Sequence, residues 1–243
     1  MLLEGRVAIV YGGGGSIGGA VARAFAREGA NVHLTGRRDE PLAIVAENIR
    51  ARGGRCQAAT LDALDEHAID AHADTVAQRA GRIDISLNAI SLGEVFGTPL
   101  SQMTLTEYER PILNATRSTF LTARAAARHM TPRGSGVILT FGGYGRPLTD
   151  FSLGGFQVAL SAVDALRRQL AAELGTHGVR VLTIQSVGIL ETHGSDSDTT
   201  PPRLLRRAPT LTDVGNVAVF AASDHAAAIT GTAINITSGA EID

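Results

Sequence analysis

The sequence has 243 residues but no lysine, no tryptophan and one cysteine, Cys56. All 22 basic residues are arginines, so no mechanism that needs a lysine ammonium or a lysine Schiff base is open to this chain. A lone cysteine excludes an internal disulfide and the usual cysteine-based metal sites. The seven histidines show no metal-ligand spacing, and we expect no metal. Tyrosine is scarce too: any phenolic acid must be Tyr11, Tyr108 or Tyr144.

Long apolar runs are also missing. No stretch reaches membrane-spanning length, and we see no signal peptide or anchor, so we expect a cytoplasmic protein. The formal charge of −2 gives no electrostatic reason to expect nucleic acid or an anionic membrane as partner. With 44% hydrophobic residues, the chain can bury a sizeable core, and its length fits one domain over 1–243.

Apolar strands alternate with helical patterns along the whole chain. Such alternation predicts an α/β fold, a doubly wound parallel sheet of about seven strands with helices on both faces. The segment 187–209 is irregular and polar, and we interpret it as a substrate lid. Strands are predicted at 6–11, 31–35, 55–60, 82–88, 136–141, 179–186 and 232–236, and helices at 20–29, 39–52, 65–80, 106–130, 155–174 and 212–222, with Asp39 capping the second helix.

A glycine-rich turn follows the first strand and opens the first helix. Glycines let the backbone approach a pyrophosphate closely, and the helix start supplies free N–H donors. The alternative is a turn that only connects two elements, but four consecutive glycines cost backbone entropy without adding packing. The candidate phosphate-binding residues are Gly12, Gly14, Ser16, Ile17 and Gly18.

Two arginines, Arg37 and Arg38, follow the second strand. In dinucleotide-binding folds this position reads the adenosine ribose, where an acidic residue suits a free 2′-hydroxyl and arginine suits a 2′-phosphate. The pair favours NADP(H) over NAD(H) as cofactor. The other interpretation, two solvated surface arginines, stays open.

These motifs make the sequence resemble the short-chain dehydrogenase/reductase family over nearly the whole chain. The first segment is similar to the family's Thr-Gly-x-x-x-Gly-x-Gly motif: Gly12 and Gly18 match, while Tyr11 and Ser16 replace the threonine and the second glycine. The segment 211–240 is also very similar to the family's last helix and strand. The resemblance implies further site residues: Asp62 and Ala63 at the adenine, Asn88 from the family's Asn-Asn-Ala-Gly segment, and Asn114 at the active-site asparagine.

The family's catalytic serine, tyrosine and lysine are absent. Aligned through ALRRQLAAELGTHGVRV, the serine position falls on Gly143, the tyrosine on Phe156 and the lysine on Leu160. The resemblance implies that tyrosine carries the proton of the substrate oxygen while lysine lowers its pKa and holds the nicotinamide ribose. The family's Pro-Gly after the sixth strand becomes Ser186-Val187, or reaches Gly188 with a one-residue shift.

Other residues are candidate proton donors. Tyr144 adjoins the lost serine position, although it also suits packing at a strand end. Asn114 can hold a water as donor, or serve only the helix, and Tyr11 can bond near the phosphates or simply fill space beside the loop.

Three functions remain open. One is an NADP(H)-dependent oxidoreductase of a small carbonyl or hydroxyl compound with a degenerate centre. The second is a non-redox isomerase, cyclase or dehydratase of secondary metabolism, and the third is a catalytically silent binding protein. For the cofactor, the alternative to NADP(H) is that no nucleotide is bound. The family resemblance also implies a homo-oligomer, dimer or tetramer, built on the helices at 106–130 and 155–174.

Overall fold

A computed structural model describes residues 1–143, 152–192 and 203–242. Within them seven strands form one parallel sheet in the order β3-β2-β1-β4-β5-β6-β7, which confirms the predicted α/β class. The strands are β1 (Val7–Tyr11), β2 (Asn31–Gly36), β3 (Arg55–Thr60), β4 (Ile85–Asn88), β5 (Gly136–Gly142), β6 (Val179–Gln185) and β7 (Ala233–Asn235). The helices are α1 (Ser16–Arg27), α2 (Asp39–Ala51), α3 (Glu66–Ala80), α4 (Leu105–Met130), α5 (Phe156–Gly175) and α6 (Leu211–Ala222).

The two faces of the sheet are covered by different helices. Strand side chains alternate in direction, so Ala8 and Val10 of β1 join one core with α1, α2 and α6. Val7, Ile9 and Tyr11 point the other way, into a core with α3 and α4. Because all strands are parallel, their carboxyl ends lie at one edge, where the glycine loop and the segments after β2, β3, β4, β5 and β6 meet.

Several boundaries differ from those predicted, and the largest shift is in α1, which begins at Ser16 rather than residue 20 and ends at Arg27 rather than residue 29. Two further differences have a clear local cause. Asp39 is not the cap of α2: Arg38 holds the extended N-cap conformation, and Asp39 is the first helical residue. Its carboxylate lies in the first turn, where the helix dipole favours negative charge, and accepts a hydrogen bond from Thr60 at 3.4 Å. β4 begins at Ile85 rather than residue 82, since Arg82 and Asp84 pair with each other just before the strand. Asp65 is the N-cap of α3, and its Oδ1 accepts a hydrogen bond from the Ala68 amide at 3.1 Å.

No helix of the described ranges is long and apolar enough to cross a membrane.

Two histidines, His33 on β2 and His72 on α3, lie in environments that oppose their protonation. His33 of β2 is buried, and burial, then nearby Arg79, lowers its pKa. The pKa of His72 on α3 is lowered to about 4, mainly by burial and to a smaller extent by nearby His33. His33 Nε2 and His72 Nδ1 both lack a hydrogen-bond partner among the described residues. Both rings are therefore neutral at pH 7.

We expect the free energy of unfolding to fall as the pH drops from 6.5 to about 4. The unfolded chain protonates His72 near the ordinary value of 6.5, whereas the folded chain resists until about 4, so protons favour unfolding in this window. The contribution is fully present above pH 6.5 and lost below about 4. At ~1.4 kcal/mol per pKa unit the loss approaches ~3 kcal/mol. The unfolding free energy, measured by urea unfolding at a series of pH values, should change less with pH in His72→Gln than in His67→Gln. His67 is an exposed control on the same helix. Equal slopes would contradict the assignment.

Candidate functional site

The glycine loop is held by contacts that only glycine permits. Gly12 has a φ of +79°, and a Cβ there would lie 2.5 Å from the carbonyl oxygen of Ala89 in the turn after β4. A Cβ at Gly18 would collide with the Gly12 carbonyl. By contrast, a Cβ at Gly15 would meet only the Gly12 oxygen, at 3.3 Å. Gly12 and Gly18, the two positions that match the family motif, are therefore the ones that fix the loop against α1 and β4.

The loop presents free donors at the start of α1. The amides of Gly12 and Gly13 donate to Thr35 O at 3.0 and 2.9 Å, which ties the loop to β2. The amides of Ser16, Ile17 and Gly18 have no acceptor among the described residues. Unpaired first-turn amides together with the helix dipole suit a phosphate group. A dinucleotide's pyrophosphate therefore fits this donor set. Gly14 lies in the same loop, against Pro41 of α2.

Arg37 and Arg38 stand exposed where β2 leaves the sheet. Neither makes an ion pair or a side-chain hydrogen bond to another residue that the structure describes. Their guanidinium groups are thus available beside the glycine loop, in the position expected for contact with a 2′-phosphate.

The remaining predicted cofactor residues shape the turns next to the loop. Ala63 is buried, and Asp62 Oδ1 accepts from the Leu64 amide at 3.0 Å, which rigidifies the turn after β3. Asn88 is also buried: its Nδ2 donates to Ser118 Oγ at 3.1 Å and its Oδ1 accepts from the Ile90 amide at 3.1 Å. The side-chain amide of Asn88 therefore joins the turn after β4 to α4, since its oxygen bonds the turn and its nitrogen bonds Ser118.

The three positions of the missing catalytic residues come together. A Cβ built at Gly143 would lie 3.3 Å from both Cε1 and Cζ of Phe156 and 3.5 Å from Cδ1 of Leu160. Gly143 follows β5, while Phe156 and Leu160 are one turn apart on α5, with Leu160 buried. Their proximity supports the alignment. At these three positions, an apolar wall stands where the family has a polar relay.

Phe96 extends this wall and was not found from the sequence. Its ring packs edge-on against Phe156, with centroids 5.4 Å apart and an interplanar angle of 84°. Phe96 belongs to the irregular segment after β4, where a single aromatic residue gives no periodic signal. Beneath it, Ala115 of α4 packs with Ala159 and Val163 of α5, so the site rests on the α4–α5 contact.

The candidate donors have different placements. Asn114 Nδ2 donates to Leu92 O at 3.0 Å, so its amide nitrogen supports the loop after β4. Tyr11 is fully buried. The pKa of its phenol is raised far above the usual value, mainly by burial and to a smaller extent by the negative charge of Asp70. Its ring fills space in the core under α3, and its hydroxyl has no partner among the described residues. Tyr144 lies outside the described residues.

An arginine near the end of the predicted lid, Arg203, holds the start of the same segment just after β6. Arg203 Nη2 donates to the carbonyls of Gly188 at 2.9 Å and Val187 at 3.3 Å. Gly188 has a φ of +54°, a conformation that suits glycine, so the shifted alignment, which matches Gly188, agrees better with the backbone. Of the predicted lid, 193–202 lies outside the described residues.

In the described ranges no group of three or more histidine, cysteine or acidic residues is arranged to hold a metal.

Comparison with known proteins agrees with this architecture. The family model described as enoyl-(acyl carrier protein) reductase matches residues 13–241. D-threitol dehydrogenase of Mycolicibacterium smegmatis is 29% identical over 98% of this chain and 93% of its own. A Mycobacterium tuberculosis protein, (5R,7aS)-5-hydroxy-7a-methyl-1-oxo-2,3,5,6,7,7a-hexahydro-1H-indene-carboxyl-CoA reductase, is 30% identical over 97% of this chain and 93% of its own. A Burkholderia cenocepacia short chain dehydrogenase solved in complex with NADP has a TM-score of 0.89 and 25% identity, covering 99% of both chains.

Proposed function

Because the chain belongs to the short-chain dehydrogenase/reductase family, we propose that it is an NADP(H)-dependent oxidoreductase of a small carbonyl or hydroxyl compound whose catalytic centre lacks the usual side-chain acid. The observation that carries the proposal is the retained phosphate platform. In the part of the chain that the structure describes, the amides of Ser16, Ile17 and Gly18 have no acceptor, and Arg37 and Arg38 form no ion pair. The relative solved with NADP supports the choice of cofactor.

The chain's own residues would divide the work between two halves of the site. Loop amides bind the pyrophosphate, and Arg37 and Arg38 bind the 2′-phosphate by charge-assisted hydrogen bonds. When bound, the nicotinamide supplies or accepts a hydride. Phe156 and Leu160 exclude water and orient an apolar substrate, but neither can move a proton. Leu160 also offers no hydrogen bond to ribose hydroxyls, which weakens cofactor binding relative to a lysine.

Proton transfer in this proposal is assigned to water. A positioned side-chain acid contributes ~10²–10⁴-fold, so carbonyl reduction should be slow by that factor. Asn114 is a candidate for holding such a water, because its Nδ2 is committed to Leu92 O while its Oδ1 has no partner among the described residues. Asn114 is thus proposed as a positioning residue, beside Tyr144 as the second candidate.

A second candidate function, a non-redox enzyme, is favoured by the apolar wall itself. Phe96, Phe156 and Leu160 suit a hydrophobic substrate whose shape rather than a proton relay directs the reaction. A silent binding protein is the third possibility. NADPH binding alone does not distinguish the oxidoreductase from the other two functions, because the phosphate platform can also hold a nucleotide that takes no part in catalysis. Binding together with turnover does distinguish it.

The test is a calorimetric titration with NADPH and, separately, NADH. We expect NADPH to bind at least ~10-fold more tightly, because a hydrogen bond to a charged group is worth ~1.5–3 kcal/mol. Arg37→Gln with Arg38→Gln should remove that preference, whereas Arg52→Gln, an exposed arginine at the end of α2, should leave it unchanged. No binding of either cofactor at millimolar concentration would refute the oxidoreductase proposal.

We also propose that the chain assembles as a homo-oligomer through α4 and α5. Leu105, Leu113 and Phe120 of α4 and Val158 of α5 are large apolar residues left exposed on these packed helices. Such side chains on one surface are typical of an interface.

Phe120→Glu should therefore lower the mass found by light scattering, because it places a charge on the proposed interface. Ile44→Glu changes an apolar residue on α2 that is 61% exposed, against 47% for Phe120, so it is the matched control and should leave the mass unchanged. A wild-type monomer, or equal effects of both variants, would contradict the interface.

A further inference from the structure

An unpaired carboxylate, that of Glu94, belongs to the segment that borders the apolar wall. This irregular segment follows β4 and includes Phe96. The Glu94 side chain is partly buried, and its Oε2 atom is shielded from solvent with no hydrogen-bond partner among the described residues. Glu94 also forms no ion pair in the ranges that the structure describes. A carboxylate oxygen buried without a partner is unfavourable, so stability does not explain why a glutamate stands here.

The residues on both sides of Glu94 contact the site. Leu92 packs against the contact between α4 and α5, and its carbonyl oxygen accepts from Asn114 Nδ2 at 3.0 Å. On the other side, the Phe96 ring packs against Phe156 with centroids 5.4 Å apart. Because two residues of chain span at most ~7 Å, the Glu94 Cα lies within that distance of both neighbours. Glu94 is therefore held at the edge of the wall that replaces the family's tyrosine.

Asn114 lies beside the same segment. A Cβ built at Gly93 would lie 3.4 Å from Asn114 Nδ2, so the residue before Glu94 adjoins the asparagine amide. A water held by the unpartnered Oδ1 of Asn114 is thus placed next to the segment that carries the carboxylate. Arg110 of α4 also approaches Gly93, with its Cδ 2.9 Å from the same Cβ, yet it forms no ion pair with Glu94. The carboxylate stays available for a proton.

We propose that Glu94 is the proton acceptor of this site in hydroxyl oxidation, acting through the water that Asn114 holds, an inference that rests on the oxidoreductase function proposed above. The substrate O–H bond breaks, and its proton passes through the water to Glu94 Oε2. The C–H bond at the same carbon breaks, its hydride passes to the oxidised nicotinamide, and the O–H electron pair forms the carbonyl. An ionised carboxylate has only acceptor sites and can take a proton through one water, whereas Phe156 and Leu160 have no group that can.

The first measurement is the initial rate of NADP⁺ reduction on a panel of secondary alcohols, with NADPH binding followed by calorimetry. Glu94→Gln keeps the size of the side chain and removes the base. We therefore expect the rate to fall at least ~10²-fold while NADPH binding is unchanged. Glu109→Gln, at an exposed glutamate of α4, is the matched control and should retain both the rate and the binding.

Chemical rescue distinguishes proton transfer from packing. Glu94→Ala leaves space for a small carboxylate, so formate should restore the rate of this variant saturably, and chloride at the same ionic strength should not. Thermal unfolding of the protein without cofactor gives a readout that needs no turnover. Glu94→Gln should raise the unfolding midpoint, because it removes a charge that is buried without a partner, and Glu109→Gln should leave the midpoint unchanged.

The outcomes separate this role from the proposed function. Equal rates of alcohol oxidation in Glu94→Gln and Glu109→Gln would overturn the role of Glu94 and leave the oxidoreductase proposal standing. A slow Glu94→Ala variant that formate does not restore, or a lowered midpoint in Glu94→Gln, would assign the side chain to packing instead. A wild-type chain that binds NADPH but oxidises no alcohol of the panel would refute the oxidoreductase proposal, and the role of Glu94 with it.

Discussion

Restoring the polar relay as Gly143→Ser, Phe156→Tyr and Leu160→Lys should raise NADPH-dependent carbonyl reduction by ~10²–10⁴-fold. The reason is geometric: the three positions already converge. The Cζ atom of Phe156, which carries the hydroxyl in tyrosine, lies 3.3 Å from a Cβ built at Gly143. Leu160 Cδ1 lies 3.5 Å from the same Cβ, so a lysine there starts from the right side of α5. The restored serine and tyrosine oxygens therefore fall within reach of each other and of a common substrate oxygen.

The measurement is initial rates on a panel of aldehydes and ketones, with NADPH binding and thermal unfolding followed in parallel. Single restorations should change the rate little, because such groups act as a unit. The variant with Gly143→Ser and Phe156→Tyr but Leu160→Met is the matched control, since it retains packing and lacks the ammonium. A folded triple variant that binds NADPH and reduces nothing would show that more than the relay is missing, and would favour the non-redox alternative.

Much of the fold was predictable because its signals are periodic. Short apolar runs alternating with amphipathic segments give the strands and helices, and parallel order follows from that alternation. Errors fell at helix starts and strand starts. Asp39 was expected to cap α2, but the chain enters the helix one residue earlier, with Arg38 as N-cap. A sequence containing Arg-Arg-Asp-Glu leaves that register open, because acidic residues favour the cap and the first turn alike.

The candidate site was only partly predictable, for a different reason. The glycines of the loop are close in sequence, so their pattern is visible without a structure. Gly143 and Phe156 are 13 positions apart and meet only because β5 and the start of α5 fold together. Phe96, on yet another segment, joins them through one ring contact that no local pattern announces. The same holds for the arginines around Asp84, because Arg6, Arg82 and Arg133 come from three distant segments.

Gly18→Ala should destabilise the protein by ~1–3 kcal/mol and abolish NADPH binding, although alanine is ordinarily the better helix residue. In an exposed helix interior this change would stabilise by ~0.8–1.0 kcal/mol. Here the sign reverses, because the new Cβ collides with the Gly12 carbonyl, which belongs to backbone that is itself hydrogen-bonded to β2 through Thr35 O. Relief of the collision moves Gly12 and the start of α1 apart, which shifts the free amides of the first turn of α1 relative to the rest of the loop that would hold the pyrophosphate.

Gly19→Ala is the matched control in the same helix. Its Cβ would meet two side-chain ends, Val45 Cγ2 at 3.1 Å and Arg23 Nη1 at 3.3 Å, and would reach the Gly13 backbone oxygen only at 3.4 Å, an ordinary van der Waals distance. We therefore expect an unfolding free energy within ~0.5 kcal/mol of wild type, since helix propensity offsets mild crowding, and unchanged cofactor binding. Urea unfolding and NADPH calorimetry on both variants decide the matter. If Gly18→Ala proves as stable as Gly19→Ala, the close approach of α1 to the loop is not what holds the phosphate platform. If it is destabilised yet still binds NADPH, the loop adapts and the free amides are not fixed by Gly12.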